Sequence, residues 1–95
     1  MPQEFLTVVA HIQARPGKEQ LVRAELLKLI SPTRAEKGCI KYDLHQSTSE
    51  PEKFLFHEHW TDEAALRAHL GTAHIAALQA KAEELLAEPV DVGLW

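Results

Sequence analysis

Two stretches of this chain gather side chains that move protons and grip flat rings. The first is Phe56-His57-Glu58-His59-Trp60, with a carboxyl and an indole two residues apart. On a strand, alternate residues share a face, so Phe56, Glu58 and Trp60 would line one surface. The second stretch carries His69 and His74. Imidazole titrates nearest neutrality and is the usual general base. A carboxyl set among aromatic rings loses water and is pushed up toward the same range. Flat rings such as Trp60 and Phe56 offer a stacking surface. His74, His69 and Glu58 are therefore the candidate catalytic residues, and Trp60, Tyr42 and Phe56 the candidate substrate contacts.

Each also has a plainer use. Trp60 could fill the core. Glu58 could be a buried acid bonded to Tyr42 or to helix-terminal amides, since buried acids are rarely left unpaired. His74 could bond backbone at a helix break, and His69 could be a partly exposed helix residue. Cys39 reads as a small strand residue with no base at a nucleophile's spacing.

The elements that must position these groups follow from periodicity. Residues 5–14 read as a strand, with Leu6, Val8, Ala10 and Ile12 on one face. Arg15-Pro16-Gly17 breaks it. Residues 18–30 read as a helix with Leu21, Val22, Leu26, Leu29 and Ile30 at helical spacing. Ser31-Pro32 can end that helix or cap a short turn after it, and Gly38 can terminate it. Residues 39–46 form a second strand, with Ile40, Tyr42 and Leu44 on one face. A polar hairpin loop leads to a third strand over residues 54–60. Thr61 suits an N-cap, with Asp62 and Glu63 where the helix dipole favours acids. The helical region then runs to about residue 87, interrupted at Gly71-Thr72, with Thr72 recapping a piece that carries Ile75, Leu78, Ala82 and Leu85. Pro89 stops it, and Val90, Val92 and Leu94 alternate in a last strand.

The order β-α-β-β-α-β is the split βαβ pattern of a ferredoxin-like α+β fold with a four-stranded antiparallel sheet. Its helices cover one face, which must be the apolar one. Parity assigns Leu6, Val8, Ala10, Ile12, Ile40, Tyr42, Leu44, Phe54, Phe56, Val90 and Val92 to it, with Glu58 and Trp60. The other face carries Phe5, Val9 and Leu55 among His11, His45, His57 and His59, with Lys41, Asp43 and Trp95. That mixture suits a self-complementary interface. It equally suits a solvated face with scattered apolar residues. Pairing Gln46 with Phe54 sets His45 beside Leu55 and Asp43 beside His57, with His11 on the neighbouring strand. Zinc needs three or four convergent ligands, and these converge only in part, so no metal is expected.

The chain's 95 residues suit a single domain, 1–95. A net charge of −4 with acids spread along the chain speaks against nucleic acid and against an anionic membrane. One cysteine allows no internal disulfide. No apolar run approaches a membrane span, and Met1-Pro2-Gln3-Glu4-Phe5 lacks the signal-peptide pattern, so a cytoplasmic location is expected.

The run from His57 to His74 resembles the Glu-x-Trp, Ala-Leu-x-x-His, Thr-x-His signature of the antibiotic biosynthesis monooxygenase family. Glu58-His59-Trp60, Ala65-Leu66-Arg67-Ala68-His69 and Thr72-Ala73-His74 supply it. Leu6-Thr7-Val8-Val9-Ala10 with Arg15-Pro16-Gly17-Lys18 resembles the family's first strand and turn. Glu36-Lys37-Gly38-Cys39-Ile40-Lys41-Tyr42 resembles its entry into the second strand. The resemblance, nearest to the small quinol monooxygenase branch, implies a dimeric α/β barrel. The homodimer would form through the sheet face bearing His11, His45, Leu55, His57 and His59, with a pocket between sheet and helices in each subunit.

It further implies a cofactor-independent monooxygenase acting on a quinol or similar small aromatic phenol, with molecular oxygen as co-substrate. A histidine or carboxylate would take the phenolic proton, leaving an anion able to pass an electron to oxygen. The haem-degrading and polyketide-oxidising branches use a pocket asparagine, and this chain contains none. That chemistry does not carry over. A non-oxidative isomerase or lyase of a small carbonyl compound, or a non-catalytic small-molecule-binding module, are the alternatives.

Overall fold

The computed structural model describes residues 4–95. Met1, Pro2 and Gln3, on which the signal-peptide reading partly rests, lie outside the described residues. The chain runs β1 (Leu6–Gln13), α1 (Glu19–Arg34), β2 (Cys39–Gln46), β3 (Lys53–Trp60), α2 (Glu63–Leu70), α3 (Ala73–Leu85) and β4 (Asp91–Leu94). The strands form one sheet in the order β2-β3-β1-β4, antiparallel throughout. This is the ferredoxin-like α+β fold. Phe5, expected inside the first strand, lies just before it.

Alternation gives the sheet two unlike faces. Val8, Ala10, Ile12, Tyr42, Phe54, Phe56 and Trp60 are buried on one of them. Val22, Leu26 and Leu29 of α1, Leu66 of α2, and Ile75, Leu78 and Leu85 of α3 close over it. At about 25 cal/mol per Å² of apolar surface withdrawn from water, this packing is the main stabilising contribution. The hairpin pairs Gln46 with Phe54, His45 with Leu55, Asp43 with His57 and Tyr42 with Glu58, as the pattern requires.

Four local expectations are corrected. The register of β2 shifts between Cys39 and Lys41, which turns Ile40 outward, 54% exposed, and sets Cys39 opposite Trp60. Leu21 is also exposed, on the outer side of α1. Helix α1 runs through Pro32 to Arg34. A proline there forfeits one helical hydrogen bond. Continuing the helix buries Thr33 and lets Arg34 donate to the Tyr42 carbonyl at 3.2 and 3.0 Å. Finally, the N-cap of α2 is Asp62 and not Thr61. Asp62 Oδ1 accepts from the Ala65 amide at 2.9 Å, while the Thr61 amide is held by the Gly38 carbonyl at 2.9 Å.

Gly38 fixes how the loop after α1 meets α2. Its φ is +90°, and a Cβ there would lie 2.6 Å from Ala65 Cβ and 2.8 Å from Thr61 Oγ1. Only glycine meets both conditions. The break expected at Gly71-Thr72 is present. The Thr72 hydroxyl donates to the His69 carbonyl at 2.8 Å and accepts from the Ile75 amide at 3.4 Å.

The second face has none of this chain's helices over it. Phe5, Val9, Leu55, His57 and His59 are half-buried there, and His11 and His45 are exposed. The Phe5 and His59 rings lie against each other, 4.2 Å between centroids and tilted by 33°. No helix among the described residues is long and apolar enough to cross a membrane.

Candidate active site

A cavity opens between the sheet and helices α2 and α3. Ala10, Tyr42, Phe56 and Glu58 form its floor, and Leu66, His69, Ile75 and Leu78 roof it. Gln79, Val90 and Val92 also line it. Counted out to the open mouth, its empty volume is ≈ 530 Å³, and the centre of a water-sized sphere can occupy ≈ 80 Å³. One water needs roughly 10–15 Å³ by that measure. The space is therefore several waters large and suits a compound of one ring. Tyr42 and Phe56 line it as an aromatic pair stacked on each other, 4.3 Å between ring centroids and 17° between their planes.

Glu58 enters this apolar space because β3 alternation leaves it no other side. It is 3% exposed. Trp60, two residues on and fully buried, donates its indole N–H to Glu58 Oε1 at 2.7 Å. Burial pushes the carboxyl up to about 7, against the Trp60 bond that favours the charged form, and the negative charge of Glu36 adds to the rise. Near neutrality Glu58 is thus a mixture of acid and carboxylate. Burial, and then the Glu58 charge, hold the Tyr42 phenol well above its ordinary value, so it keeps its proton.

His69 and His74 meet at one carboxylate oxygen. Glu36 Oε2 lies 2.7 Å from His69 Nδ1 and 2.7 Å from His74 Nε2. Three elements converge here. Gly38 presses on Ala65, and His69 sits one helical turn further along the same face of α2. Glu36, two residues before Gly38, is thereby brought beside His69. The Thr72 turn then swings His74 back to the other side of the carboxylate. His69 is buried and Glu36 nearly so, while the His74 side chain is 21% exposed. Burial lowers the basicity of His69, opposed by its bond to Glu36, so the ring rests neutral. Its Nδ1 is turned to Glu36, which is not part of the cavity wall, leaving the Nε2 edge for the cavity. Among the described residues, neither His69 Nε2 nor the second Glu58 oxygen has a hydrogen-bond partner, and neither is sealed in. Among the described residues, Thr33 Oγ1 alone is a sealed, unpartnered side-chain polar atom.

Two imidazoles and a carboxylate are also a donor set for iron or zinc. Their ligand atoms lie within 4.8 Å of one another. Each ring nitrogen also lies at hydrogen-bond distance from Oε2, so the three groups satisfy one another without an ion. The arrangement is that of a hydrogen-bonded triad. The sheet histidines do not converge in this way: His11 and His45 flank Leu55, and His57 faces Asp43.

Of the residues singled out from the sequence, Glu58, His69, Tyr42 and Phe56 lie on the cavity wall. Trp60 does not. It stands behind the wall, 4.7 Å from the His69 ring and bonded to Glu58, and so touches two wall residues without lining the cavity itself. His74 is likewise off the wall and touches Glu36. Sequence reasoning missed Glu36. It stands 33 and 38 residues from its two partners, in a loop with no periodicity. Its place in the Glu36-Lys37-Gly38-Cys39 stretch was the one available signal.

Residues 5–81 match the family model described as "Antibiotic biosynthesis monooxygenase". The chain is 38% identical over 88 residues to the Bacillus subtilis (strain 168) protein named "Putative monooxygenase YcnE", covering 93% of each. It is 32% identical over 83 residues to "Probable quinol monooxygenase YgiN" of Escherichia coli (strain K12), covering 77% of this chain and 80% of that one. Among solved structures, PA3566 from Pseudomonas aeruginosa superimposes with a TM-score of 0.92 at 38% identity. That match covers 98% of this chain and 93% of the other.

Proposed function

The chain belongs to the antibiotic biosynthesis monooxygenase family, and on that premise we propose that it is a cofactor-independent monooxygenase of a small hydroquinone or related phenol. The observation that carries this reading is the pairing of stacked aromatic rings, Tyr42 and Phe56, with two polar atoms that bond no described protein group, His69 Nε2 and one Glu58 oxygen, in a mainly apolar cavity. The substrate ring packs against the Tyr42–Phe56 pair. His69 Nε2 takes the phenolic proton, and exclusion of water keeps the resulting anion electron-rich. The anion gives its electrons to molecular oxygen. One oxygen atom enters the ring and the other leaves as water: hydroquinone and O₂ yield hydroxyquinone and water, with every electron supplied by the substrate. Glu58 in its acid form gives a proton to the hydroxide that departs when the oxygen–oxygen bond breaks and is restored by the proton lost from the oxidised ring carbon, and the Trp60 N–H orients it for that step.

The subunit pairs with a second copy through the sheet face bearing His11, His45, Leu55, His57 and His59. Half-buried apolar residues among polar ones on a face without helices support that pairing.

The test is oxygen uptake with a single-ring hydroquinone and with menadiol, corrected for autoxidation. Wild-type protein accelerates uptake. His69→Gln lowers kcat by about a hundredfold or more, the range of a lost general base. Equal rates for wild type, His69→Gln and buffer would reject the proposal, and product formed equally without oxygen would point to a non-oxidative reaction.

A further inference from the structure

A carboxylate as enclosed as Glu36 is normally held by a guanidinium or an ammonium. Here, among the described residues, it pairs with two imidazoles and with no lysine or arginine. One of those imidazoles forms part of the cavity wall and the other does not. The cluster therefore links a wall residue to a more exposed one through a single oxygen atom.

Resting on the function proposed above and deepening it, we propose that Glu36 is the positioning residue of this site. Pinned between His74 Nε2 and His69 Nδ1, its Oε2 holds His69 in the tautomer whose bare Nε2 faces the cavity, and it stabilises the imidazolium formed when His69 takes the substrate's proton. The proton balance is closed. The phenolic proton moves to Nε2, while the Nδ1 proton stays on His69, bonded to Oε2. When Nε2 gives its proton to reduced oxygen, His69 is restored, and Glu36 is never protonated. His74 is a second positioning residue. Bonding the same oxygen from the opposite side, it stops the carboxylate from rotating away from His69.

The local physics supports this assignment. An imidazole that is bare at both edges has two tautomers close in energy, and a hydrogen bond at one nitrogen decides between them. A charge-assisted bond of 2.7 Å is a strong bias. Tyr42 from β2 approaches the same ring edge-on at 5.5 Å, and Trp60 from β3 lies tilted against it, but neither offers Nδ1 an acceptor. The charged or titratable groups facing His69 are Glu36 from the loop, His74 from α3, Tyr42 from β2 and, on the same cavity wall, Glu58 from β3.

The experiment is long-range ¹H–¹⁵N NMR of ¹⁵N-histidine protein, which reads the tautomer and the titration of His69 without any substrate. The variants are Glu36→Gln, which keeps an acceptor but removes the charge, and Glu36→Ala, which removes both. Wild type and Glu36→Gln should show His69 protonated at Nδ1, and the Glu36→Gln midpoint should fall by about one unit as the neighbouring charge is lost. Glu36→Ala should show mixed tautomers. With a hydroquinone, kcat should fall about tenfold in Glu36→Gln and further in Glu36→Ala, with KM little changed. If Glu36→Ala does not fold, the Glu36→Gln midpoint decides. An unmoved midpoint in Glu36→Gln, or a wild-type His69 protonated at Nε2, overturns the assignment. So does one equivalent of Zn²⁺ bound by wild type and lost in both Glu36→Gln and His74→Gln. The predicted tautomer without oxygen uptake would reject the proposed function while leaving the positioning role of Glu36 in place.

Discussion

Replacing Glu58 with glutamine should make the protein more stable at pH 8 and leave it nearly unchanged at pH 4.5. Glutamine keeps the shape and still accepts the Trp60 N–H through its carbonyl oxygen, so the charge is the chief difference. The Glu58 carboxyl is raised from its ordinary 4.5 to about 7. A group that holds its proton more tightly when folded favours the folded state at low pH. Stability is therefore lost as pH rises from 4.5 through about 7, and above that the full cost of the buried charge remains. At roughly 1.4 kcal/mol per pH unit, that interval corresponds to about 3 kcal/mol. Glu58 is 3% exposed, so solvent screening does not reduce this appreciably.

Urea unfolding of both proteins at fixed concentration, from pH 4.5 to 8.5, measures the difference, and groups common to both cancel. With a slope of about 1–2 kcal/mol per molar urea, the Glu58→Gln midpoint should climb about 2 M relative to wild type across that range. A midpoint difference independent of pH, or one that grows toward acid, would refute the claim that this cavity holds a carboxyl titrating near neutrality.

Three further outcomes follow from the same geometry. Trp60→Phe removes the one bond that favours ionised Glu58, so the Glu58 midpoint should rise further and stability at pH 8 should fall by about 1–3 kcal/mol, read by the same urea series. Gly38→Ala forces a side chain onto a positive φ and into Ala65, with an expected loss of about 2–5 kcal/mol in thermal or urea unfolding. Adding Ala65→Gly should restore part of it. Leu55→Glu sets a charge in the middle of the helix-free sheet face and should convert a dimer to a monomer in sedimentation, whereas an unchanged sedimentation coefficient would place the pairing surface elsewhere.

Strand parity carried most of the fold. The alternation in β1 and β3 determined which side chains face the helices, and it sent Glu58 and Trp60 inward correctly. Parity says nothing about depth, and that is why Trp60 could not be told from a cavity wall. It also fails at a bulge: the slip at Ile40 depends on how Cys39 and Lys41 meet β3, a relation no local window contains. Pro32 misled for a related reason. Its local cost is offset by Thr33 and Arg34 contacts made with the rest of the domain. Within the site, His69 and His74 were legible because they lie on patterned helices. Glu36 was not, because its role comes from the loop packing that Gly38 permits.

The most direct test uses oxygen isotope. Metal-free protein is given a hydroquinone under ¹⁸O₂, and product and water are analysed by mass spectrometry. One ¹⁸O atom should appear in each hydroxyquinone and one in water, at a rate that collapses in His69→Gln. Unlabelled product, or labelling no faster than without protein, would contradict it.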